Sequence, residues 1–374
     1  MFLIITCTIL MVMGFLAASP KQYVLETADG EYCCILQKRN AVYLVAVPVI
    51  VSTLRYGFID TYAYKEMYRL SAGNWSYIFT GAGWGIETGW LFVNYCLNCI
   101  SSSPKLILFL TALIINAAYM EAAQRYSEDA CISFFLFFCL MYLDTNNGMR
   151  QMTAAAIVIL AFPLLENRKY IPFILCVLAA YQMHNSAIVW LIIAAAVIGR
   201  PFNIRTFGAL ALAIAFLFMP DVITGLISDA LSDSQYNYYL DMKGGMRLAR
   251  ALVTGVVPGI FTIVYYIRQK REGYEFEYSE SLLINLTIIN TMFILMGTYM
   301  QYWNRFAFYT FFAPIVLMPK LTRKVFGDEG YYCGIKTIMI LLYFAYFSYN
   351  IYSNSGAPGA GSDALQKFYI EWWC

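Results

Sequence analysis

Arg55-Tyr56-Gly57-Phe58-Ile59-Asp60-Thr61-Tyr62-Ala63-Tyr64 follows directly on an apolar run at 41–54, and Glu87-Thr88-Gly89 closes the same segment. An Arg, a Gly and an Asp set just past an apolar run, with a second carboxylate behind them, make a polar island. The rest of the chain is its opposite. Of 374 residues, 60% are hydrophobic and 13% charged, which places the chain among polytopic membrane proteins. Almost every long segment outside the island reads as membrane helix, so the expected fold class is all-α. The island is also rich in aromatics, among them Tyr62, Tyr64, Tyr68, Trp75, Trp84 and Trp90. Such side chains suit the membrane–water boundary, and they also stack on sugar faces. An ordinary interfacial loop with an aromatic belt has the same composition.

Apolar segments recur at 2–18, 41–54, 86–101, 104–121, 130–143, 149–165, 170–183, 185–199, 206–219, 250–267, 281–300, 305–319 and 335–352. Residues 2–18 lack a basic leader and a clear cleavage site, so they are expected to be a first membrane helix. Basic clusters at 21–39, 168–169, 200–205, 268–271 and 320–324 belong in the cytoplasm by the positive-inside rule. Counting from both ends then leaves 86–101 as a segment that does not cross. It is expected to be an interfacial or re-entrant helix on the outer face. The whole is a single membrane domain over 1–374 with about 12 transmembrane helices and both termini outside. Its first large outer loop covers 55–103 and its second covers 220–250.

This topology puts Arg55, Arg150, Arg247, Arg250 and Arg305 outside, against the usual bias. Snorkelling to headgroups is one explanation. The other is an outer cavity for an anion, where the planar guanidinium fork matches phosphate oxygens. Arg150-Gln151 follows Asn146-Asn147-Gly148 at the expected start of an outer helix end, where backbone N–H groups also favour anions. His184, the sole histidine, lies in Tyr181-Gln182-Met183-His184-Asn185-Ser186 at a tight outer turn. It could be a general base, a phosphate donor or a satisfied structural group. In 220–250, Tyr236, Tyr238 and Tyr239 suit carbohydrate stacking, and Gly244-Gly245 offers a hinge before Arg247 and Arg250. Asn304-Arg305 opens a further helix from the outside. No phosphate loop, GxGxxG, HExxH or GxSxG motif occurs in a usable context, which argues against nucleotide hydrolysis and serine hydrolases. The ten cysteines show no disulfide or zinc spacing. With one histidine, no multi-histidine metal site is possible, and neither metal nor cofactor is expected. The formal charge of +2 gives no nucleic-acid signature.

Taken in order, Arg55-x-Gly57-x-x-Asp60-Thr61-x-x-Tyr64, Glu87-x-Gly89, Arg150-Gln151-x-x-Ala154, His184-x-Ser186 and Arg305 resemble the EpsG-like family of polysaccharide polymerases, relatives of the Wzy O-antigen and capsule polymerases. The chain departs from the pattern at Phe58-Ile59, where the family often has a small residue before the Asp. The resemblance implies a GT-C-like architecture and a glycosyltransferase at the outer face of the bacterial inner (plasma) membrane. Its substrate would be a glycan repeat unit on undecaprenyl diphosphate, with a chain-length regulator protein as a partner beside the lipid bilayer. The growing chain would leave its lipid diphosphate for a hydroxyl of the next unit. On that chemistry Asp60, Glu87 and His184 are the candidate catalytic residues, Asp60 first. Arg55, Arg150, Gln151, Arg247, Arg250, Arg305, Tyr64 and Tyr238 would bind the diphosphate or substrate. An O-antigen ligase of the same architecture and a flippase for lipid-linked glycans are the alternatives. A flippase should line both halves of its path with polar groups, whereas those here lie mostly at outer ends.

Overall fold

The computed structural model of the chain describes residues 2–18, 23–26, 32–56, 58, 60–81, 85–218, 248–326 and 329–353. Helices dominate. The exception among the described residues is a short antiparallel pair, β1 (Tyr23–Glu26) and β2 (Tyr32–Ile35), with Tyr23 opposite Ile35 and Glu26 opposite Tyr32. The all-α expectation passed over it. The sequence carries Asp29-Gly30 between two aromatic and branched tetrads, a hairpin signal that the basic connector reading obscured.

Six helices among the described residues are long and apolar enough to cross a membrane. They are α6 (Lys105–Tyr126), α7 (Ala130–Asn147), α8 (Met149–Glu166), α12 (Leu248–Arg271), α13 (Tyr278–Tyr299) and the segment Cys333–Ile351 of α16 (Glu329–Ser353). Other apolar helices are shorter, including α9 (Tyr170–Tyr181) at 12 residues. At about 1.5 Å per residue that helix covers roughly 18 Å, short of a ~30 Å hydrocarbon core.

The chain divides into two compact units. The first holds residues 1–160, 178–185 and 335–374. Its axis is α7, in which every side chain from Ala130 to Tyr142 is buried. A helix apolar on all faces can be stable only when surrounded, and here neighbours cover it. Phe135 meets Phe15 of α1 (Phe2–Ala18) edge-on at 4.9 Å, Phe137 stacks on Tyr119 of α6 at 4.0 Å, and Phe138 lies 5.0 Å from Phe347. Asp129 caps α7 by accepting the Ile132 N–H at 3.1 Å, and its other oxygen takes Lys336 Nζ at 2.8 Å. One buried carboxylate thus satisfies an orphan donor of α7 and fixes the last helix.

The second unit holds 161–177 and 186–334. Its axis is α13, buried from Glu280 to Ile294. Against it lies α12, interrupted by a π turn at Leu252–Val256. A Cβ on Gly255 would stand 2.5 Å from Ile294 Cγ2, so only glycine lets the two backbones approach this closely. Thr291 Oγ1 donates to the Gly255 carbonyl at 3.1 Å and seals the contact.

Candidate functional site

The site grows from the end of α2 (Lys38–Leu54), which Arg55 terminates in extended conformation. The Arg55 side chain is 2% exposed. Nε donates to Thr61 Oγ1 at 3.0 Å, Nη1 to the Ser52 carbonyl at 2.5 Å, and Nη2 to the Asn146 carbonyl at 3.4 Å and Met149 Sδ at 2.8 Å. The fork therefore joins the end of α2, the start of α3 (Thr61–Leu70), the end of α7 and the start of α8. All four partners are neutral. Burial pulls the guanidinium down to about 10, partly opposed by Tyr142 and Tyr64, and it stays protonated at neutral pH.

Asp60 stands at the N-cap of α3, exposed, with its carbonyl accepting the Tyr64 N–H at 3.2 Å. One turn on, Tyr64 is buried and meets Trp90 edge-on at 5.9 Å. Burial pushes the Tyr64 hydroxyl up, Asp60 adds to that, and Arg150 opposes it by charge and by hydrogen bonding. Lys65, also buried, donates to the Tyr56 carbonyl at 2.8 Å.

Glu87 immediately precedes α5 (Thr88–Asn98) in an extended backbone conformation, and its carboxylate does not cap that helix. Its Oε2 accepts Arg150 Nη1 at 2.5 Å, and its Oε1 accepts the Asn185 N–H at 2.9 Å. The Trp90 N–H donates to the Gln182 carbonyl at 2.9 Å, and Thr88 Oγ1 to Gln182 Oε1 at 3.1 Å. Gly89 is what makes the approach possible, since a Cβ there would stand 2.4 Å from Gln182 Cβ and 2.7 Å from its carbonyl oxygen. The spacing Glu87-x-Gly89 is thereby explained: one residue binds the 182–185 turn and the other makes room for it. Beneath lie Tyr64, Tyr68, Trp90, Leu91, Ile107, Leu108 and Met149, a shared core. Full burial of such side chains contributes about 1.5–3 kcal/mol each. Asn98 Nδ2 and the Tyr68 hydroxyl, bonded to the Tyr68 and Ser101 carbonyls at 2.6 Å each, tie the far end of α5 to α3.

The first unit thus brings together Arg55, Asp60, Tyr64, Glu87 and Arg150, with His184 next to the Asn185 contact. His184 is half-buried, and its N–H donates to the Ala180 carbonyl at 3.0 Å. Gln151 is buried in the first turn of α8. Arg250, half-buried in α12, and Arg305, half-buried in α14 (Gln301–Thr310), belong to the second unit. Arg247 and Tyr238, with nearly all of 220–250, lie outside the described residues. Lys65 was not among the expected site residues, and the stretches holding Asn146, Gln182 and Asn185 were noted without the main-chain contacts they make. Lys65 was recoverable, because it follows Thr61 by one helical turn on the buried side of α3. Main-chain contacts at 146, 182 and 185 leave no signal in residue type.

Chemically, this part of the first unit carries three cations (Arg55, Lys65, Arg150) and two carboxylates (Asp60, Glu87), and Arg150 and Glu87 are paired with each other. The Arg150–Glu87 pair can exchange: an incoming phosphate oxygen competing for Arg150 would release Glu87 Oε2. Asp60 is exposed at the start of α3.

A family model described as the EpsG family matches residues 40–365 of the chain. No curated protein and no solved structure is significantly similar to it.

Proposed function

The chain belongs to the EpsG family, and from that premise we propose that it is a glycosyltransferase that polymerises repeat units carried on undecaprenyl diphosphate. The observation that most supports this reading is the Arg150–Glu87 pair in the same unit as Arg55, a buried charge whose hydrogen-bond partners among the described residues are all neutral. The reaction breaks the bond between the anomeric carbon and the diphosphate oxygen of the growing chain. The new bond joins that carbon to a hydroxyl oxygen of the next lipid-linked unit. Negative charge develops on the leaving diphosphate, where Arg150 receives it and Glu87 gives way. Arg55 adds a fixed field. The acceptor hydroxyl's proton goes to Asp60, with Glu87 and His184 as the other candidate acceptors. Arg250 and Arg305 are further candidate substrate-binding residues on this reading.

On this reading the protein is a multi-pass protein of the bacterial inner membrane with its site on the outer side. It crosses about 12 times in a GT-C-like arrangement, and the short apolar helices contribute to those crossings. Residues 55–103 form an outer loop, with α5 lying in the interface. Its partners are the lipid-linked glycan, the bilayer and a chain-length regulator protein.

The test is turnover of purified protein on a synthetic lipid-linked repeat unit, resolved by glycan length. A ladder of lengths is expected. Transfer of single units to another acceptor without lengthening would make the protein a ligase. Movement of the lipid across a vesicle membrane with no new bond would make it a flippase.

A further inference from the structure

The second unit contains a cavity of about 770 Å³ that the polymerase chemistry does not use, set between the turn at 199–205 and the end of α12 through residue 281. Its floor is aromatic. The Phe202 ring lies 4.6 Å from that of Tyr266, which stacks on Phe276 at 5.6 Å. Its rim is cationic, with Arg200, Arg205 and Lys270 against one carboxylate, Glu275. Lys270 Nζ sits 5.6 Å above the Tyr266 ring. Arg205 donates to the Ile198 carbonyl, while the Arg200 side chain has no hydrogen-bond or ion-pair partner among the described residues.

This turn is held in place at a conformational cost. Phe202 has φ 52°, in the left-handed region that a bulky residue adopts only when its surroundings impose it. The fully buried Asn285 of α13 imposes it. Its Oδ1 accepts the Phe202 N–H at 2.9 Å, and its Nδ2 donates to the carbonyls of Val197 at 2.9 Å and Arg200 at 3.1 Å. The result presents the Phe202 ring to the cavity and Arg200 to its rim. Asn203 caps the following helix, α11 (Ile204–Phe218), through the Arg205 and Thr206 N–H groups, so those donors are already taken.

Both helices leaving the cavity present apolar side chains outward: Ile204 and Phe207 on α11, Ile263 and Ile267 on α12. Both ends of the cavity carry basic clusters that the positive-inside rule assigns to the cytoplasmic side, where anionic lipids are concentrated. We propose that this cavity is a binding site for the phosphate-bearing headgroup of an anionic phospholipid. The phosphate meets Arg200 and Lys270, the headgroup and glycerol lie on the aromatic floor, and the acyl chains run along α11 and α12.

The experiment is the thermal midpoint of the full chain in a neutral detergent, with additions of phosphatidylglycerol, phosphatidylcholine or inorganic phosphate. Phosphatidylglycerol should raise the midpoint by about 3 °C or more, and the other two should not. Arg200→Gln and Lys270→Gln, both at exposed positions, should each reduce the rise, and together should remove most of it. Lys38→Gln with Arg39→Gln, exposed cations elsewhere, should leave it intact. Native mass spectrometry of retained phosphatidylglycerol gives a second readout should the double variant be unstable, and the single variants should retain less than the wild type. An equal rise with phosphatidylcholine would overturn the proposal in favour of general solvation. An equal rise with inorganic phosphate would make this a free-anion site. An equal loss in the Lys38 and Arg39 variant would reduce it to diffuse surface charge.

Discussion

Glu87 Oε2 accepts a hydrogen bond from Arg150 Nη1 at 2.5 Å, across 63 residues of chain, while Glu87 Oε1 holds the Asn185 N–H. Glu87 is 8% and Arg150 21% exposed at the side chain, so neither charge is well screened by solvent. Removing one partner strands the other. Arg150→Ala is expected to cost about 3–5 kcal/mol of stability and to abolish polymer formation. The double variant Glu87→Gln/Arg150→Gln should be more stable than the sum of the single losses. Arg150→Lys should restore stability better than turnover, since the fork is lost. Melting curves and turnover on the same preparations separate the two effects, and full turnover in Arg150→Ala would remove the guanidinium from the reaction.

Asp60 is exposed at the head of α3, so Asp60→Asn should leave stability within about 0.5 kcal/mol. If Asp60 takes the acceptor proton, turnover falls by about 10²–10⁴-fold while the lipid-linked substrate still binds. Retained activity in Asp60→Asn, with loss in Glu87→Gln or His184→Ala, would transfer the role to that residue.

Gly89→Ala places a methyl group 2.4 Å from Gln182 Cβ and 2.7 Å from its carbonyl oxygen. The backbone cannot yield easily there, because the Trp90 N–H is bonded to that same carbonyl. A loss of about 1–3 kcal/mol is expected, as for overpacking generally. Polymer formation should fall with it through displacement of Glu87 from Arg150. A melting midpoint equal to wild type would show that the turn can move.

The Tyr64 hydroxyl is raised above its ordinary range, chiefly by burial. An acid raised in the folded state ionises first in the unfolded chain. Its contribution is therefore complete below about pH 10 and is lost as pH rises beyond that. The stability difference between wild type and Tyr64→Phe should shrink as pH rises above about 10. Paired denaturation curves across that range check the sign, and a widening gap would contradict it.

Ser103 is exposed beyond α5, and the outer-loop reading makes it reachable from outside the cell. Ser103→Cys, with the exposed Cys96, Cys99 and Cys333 and the terminal Cys374 removed, should react with an impermeant thiol reagent on intact cells. Arg125→Cys, exposed at the other end of α6, should not. The opposite pattern would reverse the orientation. Ser127 would be a poor probe here, being buried beside the α7 cap.

The helices were legible because their signal is composition over many residues. The run Ala130–Leu140 has one polar side chain, Ser133, and a helix with no polar stripe had to be surrounded by apolar matter. Half of the site was legible for a different reason. Charged residues beside long apolar runs, such as Asp60, Glu87 and Arg150, must be solvated or paired, so they attract notice. What could not be read was who pairs with whom. Arg55 looked like an anion binder and is held by Ser52, Thr61, Asn146 and Met149, none of them charged. The π turn at Leu252–Val256 was invisible too, because it depends on one glycine fitting one isoleucine on α13.

The turn at 182–185 meets α5 through main-chain atoms of Gln182 and Asn185, and these atoms are the same whatever side chains stand there. It should therefore accept changes of spelling far more readily than changes of length. Substituting Gln182 gives up one hydrogen bond from Thr88, and most replacements of Asn185 leave its N–H in place; proline alone removes it. Inserting or deleting one residue between these two positions separates the two anchors at once and carries His184 away with them. For this site, a frame-preserving indel in the turn is the more damaging lesion, and a library that varies the length of 182–185 would map its tolerance better than an alanine scan.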